Sequence, residues 1–507
     1  MAAPVISKTR YIQGLQCPKL LWHLYNAHEV FPPTDPGTQA ILDQGHEVGR
    51  LAQELFPAGI RVPDGIPPDE VVSRSRGLVP RRLPLFEAGF RFSEAEEDAR
   101  AGAPVQVYAR ADILEPVDRD AWNIVEVKSS AHVGDPYWDD LAIQRYCYEG
   151  AGLSIRGCAI LHVNSAYVRK GAVDPAQLFT RTDVTASVER KLPAIPRRIR
   201  QMVKVIQAAR SPAVEIGPQC SAPYTCPLVP MCWKGVENAP RSIFSLARIG
   251  SRSWKLYRSG VRTTDRIPRS FRLTAAQQIQ VQAEKTGKVH VNARAVKKFL
   301  GALRYPIHYL DFETFAAAVP PLEGTRPYQQ IPFQFSLHVA AAAGTRLQHF
   351  SWLWDGRGDP MALLLQELKR VIAPEGSIVA YAATFERQRL QECAAAHLEE
   401  AAWVAEILDR LVDLLAPFRS FSVYHPAQAG SASMKRVLPA LTGSGYEHLE
   451  IREGGQASLE FRRITFGEVS EAERRRVRAR LEDYCGVDTR GMADIVRTLQ
   501  DLVSRSP

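Results

Sequence analysis

Two stretches of this 507-residue sequence place ionisable side chains two residues apart in an apolar, strand-like setting. In NIVEVKSS, Glu126 and Lys128 alternate with Val125 and Val127. Successive strand residues point to opposite faces, so Glu126 and Lys128 share one face and the valines take the core side. In HYLDFETF, Asp311 and Glu313 stand in the same relation. Paired carboxylates hold Mg²⁺ or Mn²⁺, hard cations that prefer oxygen ligands. Such a cation polarises a phosphodiester and lowers the pKa of a bound water. A lysine nearby orients that water or offsets charge developing on phosphate oxygens. Alone, an E-x-K pair is also an ordinary surface ion pair, and D-x-E is also two acids at an exposed strand end. The neighbours decide between these readings.

Around Glu126 and Lys128 the neighbours fit. Asp112 ends the preceding strand-like segment ARADILE, and a hairpin turning at Asp118–Asp120 brings it close to Glu126. Gln144 and Tyr148 in QRYCY are four apart, on one helix face. His46 lies upstream in GHEVG, and Glu87 in LFEAGF is an additional acid. The order His46, Asp112, Glu126-x-Lys128, Gln144-x3-Tyr148 resembles the RecB-like branch of the PD-(D/E)XK nucleases. That resemblance implies that His46, Asp112 and Glu126 bind the metal and that Lys128 assists the attacking water. It also implies that Gln144 and Tyr148 contact substrate.

Around Asp311 and Glu313 the pattern resembles the D-x-E motif of DEDD exonucleases, which have an RNase H-like fold. IVAYAATFERQRL resembles the second motif, with Glu386 where most DEDD enzymes carry Asp. Tyr484 and Asp488 in DYCGVDTRGMADIV match the Y-x3-D third motif and share a helix face. The resemblance implies two-metal hydrolysis, with Tyr484 orienting the nucleophilic water. Asp413 in LVDLLAP and Lys435 in GSASMKRVLPAL are supporting features, Lys435 as a contact to substrate phosphate.

Of eight cysteines, Cys147, Cys158, Cys393 and Cys485 are scattered in apolar surroundings and read as core. Cys220, Cys226 and Cys232 are clustered at five-residue gaps, wider than the usual zinc knuckle. Four thiolates can hold a [4Fe–4S] cluster. One cysteine before the nuclease motifs (Cys17) and three after them resembles the iron–sulfur RecB-like nucleases, where the cluster staples the ends of the domain. Zinc at the same thiols is the alternative.

The elements that must position these groups are strands alternating with helices, an α/β architecture. Residues 1–240 read as the restriction-endonuclease-like, iron–sulfur RecB-like domain. Residues 241–303 read as a small helical connector, either helix-hairpin-helix-like or a plain spacer. Residues 304–507 read as the RNase H-like DEDD domain. This combination resembles a bacterial family of uncharacterised proteins. It implies a nuclease on nucleic-acid ends, DNA more than RNA. The alternatives are a nucleic-acid-binding repair or defence protein with one live site, or an iron–sulfur structural or regulatory protein.

Composition sets outer bounds. A content of 45% hydrophobic and 23% charged residues fits a folded chain and argues against disorder. A formal charge of +9 favours polyanionic partners. The basic runs ERKLPAIPRRIRQMVK and RRRVRAR serve as well for solvated helix faces as for phosphate tracks. No apolar run approaches the ~20 residues of a membrane span, and the N-terminus lacks a signal-peptide pattern. The expected location is cytoplasmic, with no membrane partner.

Overall fold

The computed structural model describes residues 4–94, 105–236 and 241–504. The fold is α/β and divides into two compact units. Unit 1 comprises Met1–Lys234 and Ala317–Gln329; unit 2 comprises Gly235–Ala316 and Gln330–Pro507. The expected domain boundary at residue 240 lies outside the described residues.

Unit 1 opens with β1 (Val5–Ser7) and α1 (Lys8–Gln16), which Ser7 caps by accepting from the Arg10 amide. Next come α2 (Pro18–Asn26) and α3 (Pro36–Gln53), the latter capped by Asp35. β2 (Ile60–Arg61), α4 (Pro68–Leu78), β3 (Leu85–Glu94), β4 (Val105–Val117) and β5 (Ala121–Lys128) follow. Then come α5 (Asp135–Gly150), β6 (Ser154–Val163), α6 (Pro175–Leu178), β7 (Phe179–Asp183), α7 (Thr185–Glu189), α8 (Ile195–Gln207) and α9 (Val229–Cys232). The strands form one sheet in the order β2-β3-β4-β5-β6-β7, with β1 parallel to Gln106–Tyr108 of β4. β4 and β5 are the expected antiparallel hairpin, and α5 crosses from β5 to the parallel β6.

One face of this sheet packs on α1, α5 and α8 through Tyr11, Leu141, Tyr148 and Ile199. The other packs on α3, with Val48 and Ala52 against Phe86, Ile113 and Val125. The single basic helix expected from Val188 to Ala209 is broken by a 3-10 turn at Leu192–Ala194, where Pro193 removes a backbone donor.

Ala317–Gln329 completes the α3 side of unit 1. Ala318 and Val319 are buried among Val48, Ala52 and Val125. The Ala318 amide donates to Gln44 Oε1 at 3.0 Å, and Arg169 Nη1 donates to the Pro320 and Pro321 carbonyls at 3.0 and 2.8 Å.

Unit 2 contains α10 (Arg252–Arg258), α11 (Ala275–Thr286), β8 (His290–Val291), α12 (Ala293–Gly301), β9 (Ile307–Phe315), β10 (Ile331–Ala340) and β11 (Gln348–Leu353). It continues with α13 (Pro360–Val371), β12 (Ile378–Ala380), α14 (Thr384–Ala396), α15 (Ala401–Asp409), β13 (Leu411–Asp413), α16 (Ala416–Arg419) and β14 (Val423–Tyr424). It ends with α17 (Met434–Thr442), α18 (Gly454–Phe466) and α19 (Glu471–Ser504).

Five strands run β11-β10-β9-β12-β13, so β9 is central; β10 and β11 are antiparallel to their neighbours, β12 and β13 parallel. The stretch 241–303, expected as a separate connector, belongs to unit 2. β8 pairs with β14, Gln280 Oε1 accepts from the Ala247 amide, and the Tyr424 hydroxyl donates to Glu284. No helix among the described residues is long and apolar enough to cross a membrane.

Candidate active sites and a candidate cluster site

In unit 1 the hairpin sets Asp112 beside Glu126. Its register runs to Ile113 opposite Val125, and Asp112 Oδ2 accepts from the Val127 amide at 2.7 Å. Val125 is buried and Val127 packs behind it, which turns Glu126 and Lys128 to the other face. Lys128 Nζ donates to Glu126 Oε1 at 2.8 Å and to Asp140 Oδ2 at 2.9 Å. Burial alone would raise Glu126, but the Lys128 and Lys8 ammoniums outweigh it and hold the carboxyl below the usual range. At Asp112 the same two ammoniums are outweighed, and burial with the nearby Glu126 pushes it up to about 7.

A cavity of about 720 Å³ opens over these acids, and His46, Glu87, Arg50, Arg61 and Arg110 also line it. Glu87 has left-handed φ +57° and interrupts the β3–β4 register opposite Asp112. His46 comes from α3, one turn after Leu42. Asp112, Glu126 and His46 line the same cavity and are donor types that a divalent cation accepts.

Gln144 and Tyr148, expected to contact substrate, are buried instead. Gln144 Nε2 donates to Glu126 Oε2 at 2.8 Å. The Tyr148 hydroxyl donates to the Ala88 carbonyl and accepts from the Ala111 amide, tying β3 to β4. Both sit on the core side of α5, where the sheet covers them, so they support the site from behind.

Cys17, Cys220, Cys226 and Cys232 line one small cavity with Leu228 and Val229. Gln16 Nε2 donates to the Gln219 and Tyr224 carbonyls at 2.8 and 2.6 Å, which holds the start of the chain against the cysteine loop. Burial raises the Cys226 thiol, and the other three thiols add to the shift. Four thiols lining one cavity are the donor type that a thiolate-binding metal or cluster takes. Cys147, Cys158, Cys393 and Cys485 are buried.

In unit 2, Asp311 and Glu313 from β9, Glu386 from the first turn of α14, and Tyr484 and Asp488 from α19 line a cavity of about 290 Å³. Lys435 from α17 is the cation among its described lining residues. Burial raises all four acids, Asp488 to about 6, Glu313 and Glu386 to about 8, and Asp311 well above its ordinary value; repulsion from neighbouring carboxyls adds to the rise at Asp311 and Glu313, and from Asp413 at Glu386. Glu386 Oε2 is buried without a hydrogen-bond partner among the described residues. Asp311, Glu313 and Cys485 each present a donor atom within 4.8 Å of the others. Four carboxyls around one cavity, all raised by burial and one with an orphaned oxygen, fit a site for divalent cations.

Asp413 lies beside this cavity. Its Oδ1 accepts from the Ala382 and Leu415 amides at 3.0 and 2.9 Å, which fixes the turn that launches α14 and Glu386. Lys435 Nζ donates to the Arg452 carbonyl at 2.6 Å and lies over the Tyr446 and Tyr484 rings.

Residues 308–433, which hold Asp311, Glu313, Glu386 and Asp413, match a family described as a domain of unknown function, DUF2779. The chain is similar to Uncharacterized protein MG366 of Mycoplasma genitalium, at 27% identity over 220 residues, covering 39% of this chain and 32% of that protein. It is also similar to the Uncharacterized protein MG366 homolog of Mycoplasma pneumoniae, at 25% identity over 219 residues with the same coverage of each. The matched stretch thus spans 32% of the length of these relatives. The crystal structure of SSO0001 aligns over 46% of this chain and 87% of that one, at 10% identity and a TM-score of 0.25.

Several residues at the two sites have no sequence signal. Lys8 reaches Glu126 from 118 positions away, and Tyr446 reaches Asp488 from 42. Cys485 was legible as buried, but its thiol also lies 3.7 Å from Asp311 Oδ2. Asp140, one turn before Gln144 on α5, carries a signal in helical periodicity, which sets it on the face that Gln144 occupies.

Proposed function

We propose that this chain is a divalent-metal-dependent nuclease with two active sites: a RecB-like PD-(D/E)XK site in unit 1 and a DEDD-type site in an RNase H-like unit 2. The observation that carries the reading is the unit 2 cavity, where four carboxyls, those of Glu313 and Glu386 buried and those of Asp311 and Asp488 partly so, line one space with Lys435. Such a group is stable in ionised form only with added positive charge. Asp311, Glu313, Glu386 and Asp488 would hold the cations, which when bound polarise the phosphodiester and supply activated water. Tyr484, whose hydroxyl burial keeps protonated, serves as a neutral donor that orients the attacking water. Lys435 attracts the substrate phosphate. The central β9 and the Y-x3-D spacing on α19 support the RNase H-like assignment.

In unit 1, His46, Asp112 and Glu126 would hold the cation. Lys128, fixed by Glu126 and Asp140, offsets charge developing on the phosphate. The four thiols support a [4Fe–4S] cluster as a structural clip, since closing a long loop removes conformational entropy from the unfolded chain. DNA ends are the proposed substrate, and the cytoplasm the proposed location.

The test is degradation of end-labelled single- and double-stranded DNA and RNA with Mg²⁺ or Mn²⁺. Wild type is compared with Glu126→Ala, Asp311→Ala and the double variant. Partial loss in each single variant and complete loss in the double supports two live sites. Wild type inert on every substrate removes the nuclease reading.

A further inference from the structure

Glu126 is held by more than its own motif. Lys128 reaches Oε1 at 2.8 Å from two residues along β5. Lys8 reaches the same oxygen at 2.8 Å and lies 3.5 Å from Asp140 Oδ1. Two ammoniums and two carboxylates thus form a closed ring, while Gln144 occupies Glu126 Oε2. Lys8 is placed there by the fold. β1 pairs with the start of β4 at Gln106–Tyr108, whereas β5 pairs with its end from Ile113 to Val117. Lys8, the first residue of α1, therefore emerges where β5 and β1 meet along β4. Its side chain is 22% exposed and that of Glu126 3%, so this is not a solvated surface pair.

The charges around this ring are lopsided. Asp112, Glu126 and Asp140 carry three potential negative charges, while Lys8 and Lys128 carry two positive ones. Lys128 has the role its motif assigns. Lys8 has none, yet its ammonium touches an oxygen of the same carboxylate that would hold the cation. A positive charge so placed repels a divalent cation at that carboxylate and weakens its binding.

We propose that Lys8 is a second positioning lysine of the unit 1 site, which acts through Glu126 to hold the carboxylate in place and to limit how tightly the site binds its divalent cation. This rests on the reading of Asp112 and Glu126 as cation ligands. Without Lys8, the cation is bound more tightly, but Glu126 loses one of its two anchors on Oε1 and turnover falls.

The experiment uses the full-length chain carrying Asp311→Ala, so that unit 2 cleavage is silenced. Mn²⁺ binding is followed by calorimetry, and cleavage of end-labelled single-stranded DNA by kcat and KM. The signal specific to unit 1 is the part lost in Glu126→Ala. Lys8→Gln removes the charge, and its shorter side chain gives up the anchor on Oε1; it should bind Mn²⁺ about tenfold more tightly. Its kcat should fall roughly 10- to 100-fold with KM unchanged, the usual effect of removing a partner of a metal ligand. Lys8→Arg keeps the charge and should bind Mn²⁺ as the parent does, which keeps the test decisive if Lys8→Gln folds poorly. Unchanged or weaker Mn²⁺ binding by Lys8→Gln, or tighter binding by Lys8→Arg, overturns the proposal. If Glu126→Ala itself binds Mn²⁺ and cleaves like its parent, the cation-site reading of unit 1 falls, and the role of Lys8 with it.

Discussion

The hydroxyl of Tyr446 donates to Oδ1 of Asp488. Tyr446 lies in the loop between α17 and α18, with its ring 6.2 Å from that of Tyr484. Asp488, which lines the cavity, thereby has one oxygen fixed. Tyr446→Phe removes the anchor and little else. In a Glu126→Ala chain, where unit 2 carries the activity, its kcat should fall roughly 10-fold or more, as for other partners of metal ligands. An unchanged kcat would leave Tyr446 a packing residue.

Tyr148 offers a test of support against contact. Its hydroxyl serves a buried carbonyl and a buried amide, so Tyr148→Phe leaves both unpaired. The expected loss is about 1–3 kcal/mol of stability in urea unfolding, with KM for DNA unchanged. A raised KM at full stability would restore the substrate-contact role.

These two tyrosines mark where sequence reading succeeds and stops. The two-residue spacings of Glu126/Lys128 and Asp311/Glu313 were legible because strand alternation is local, and the structure brings each pair onto one face. The Tyr484/Asp488 spacing was legible for the same reason on a helix. Tyr148 was legible as sharing a face with Gln144, but which way that face turns depends on the sheet it meets. Lys8 and Tyr446 reach their carboxylates from remote parts of the chain, and no periodicity encodes such a contact. The assignment of Ala317–Gln329 to unit 1 was hidden for a related reason: its small apolar residues look like any loop between strands.

His338 and His349 stack with ring centroids 4.2 Å apart, and Thr489 pairs with His338 Nδ1 at 2.8 Å. Burial, then His349 and Arg490, push His338 down to about 4. The unfolded chain protonates this side chain near its ordinary value of 6.5, while the folded chain resists. Its contribution is therefore whole above about 6.5 and is lost as pH falls toward 4, by up to about 3 kcal/mol. Urea midpoints at pH 7 and pH 4.5 should differ more for wild type than for His338→Gln. Equal differences would exclude this source of acid sensitivity.

The acids of unit 2 act in the opposite sense. Glu313 and Glu386 titrate near 8 in the folded metal-free chain, above their ordinary value of 4.5. Their contribution is present below about 4.5 and is lost as pH rises through 8. Mn²⁺ should therefore raise Tm more at pH 8 than at pH 5. At 100 times its Kd the gain is about 2.7 kcal/mol. An equal shift at both pH values, or none, counts against cation binding by these acids.

Protein purified without oxygen should be coloured, since thiolate-ligated iron–sulfur clusters absorb visible light. Cys226→Ala should lose the colour and lower the Tm of unit 1. Colourless protein with bound zinc would replace the cluster by a single-ion site.

The gene carries the wall of one unit inside the reading frame of the other. Ala318 and Val319 complete the core beside α3, yet they are encoded between β9 and β10. A fragment cut after Lys234 would lack Ala318 and Val319 from the cluster that also holds Val48, Ala52 and Val125. The first half of this protein is therefore not a portable cassette. A designed truncation that is to keep this packing must splice the stretch back in.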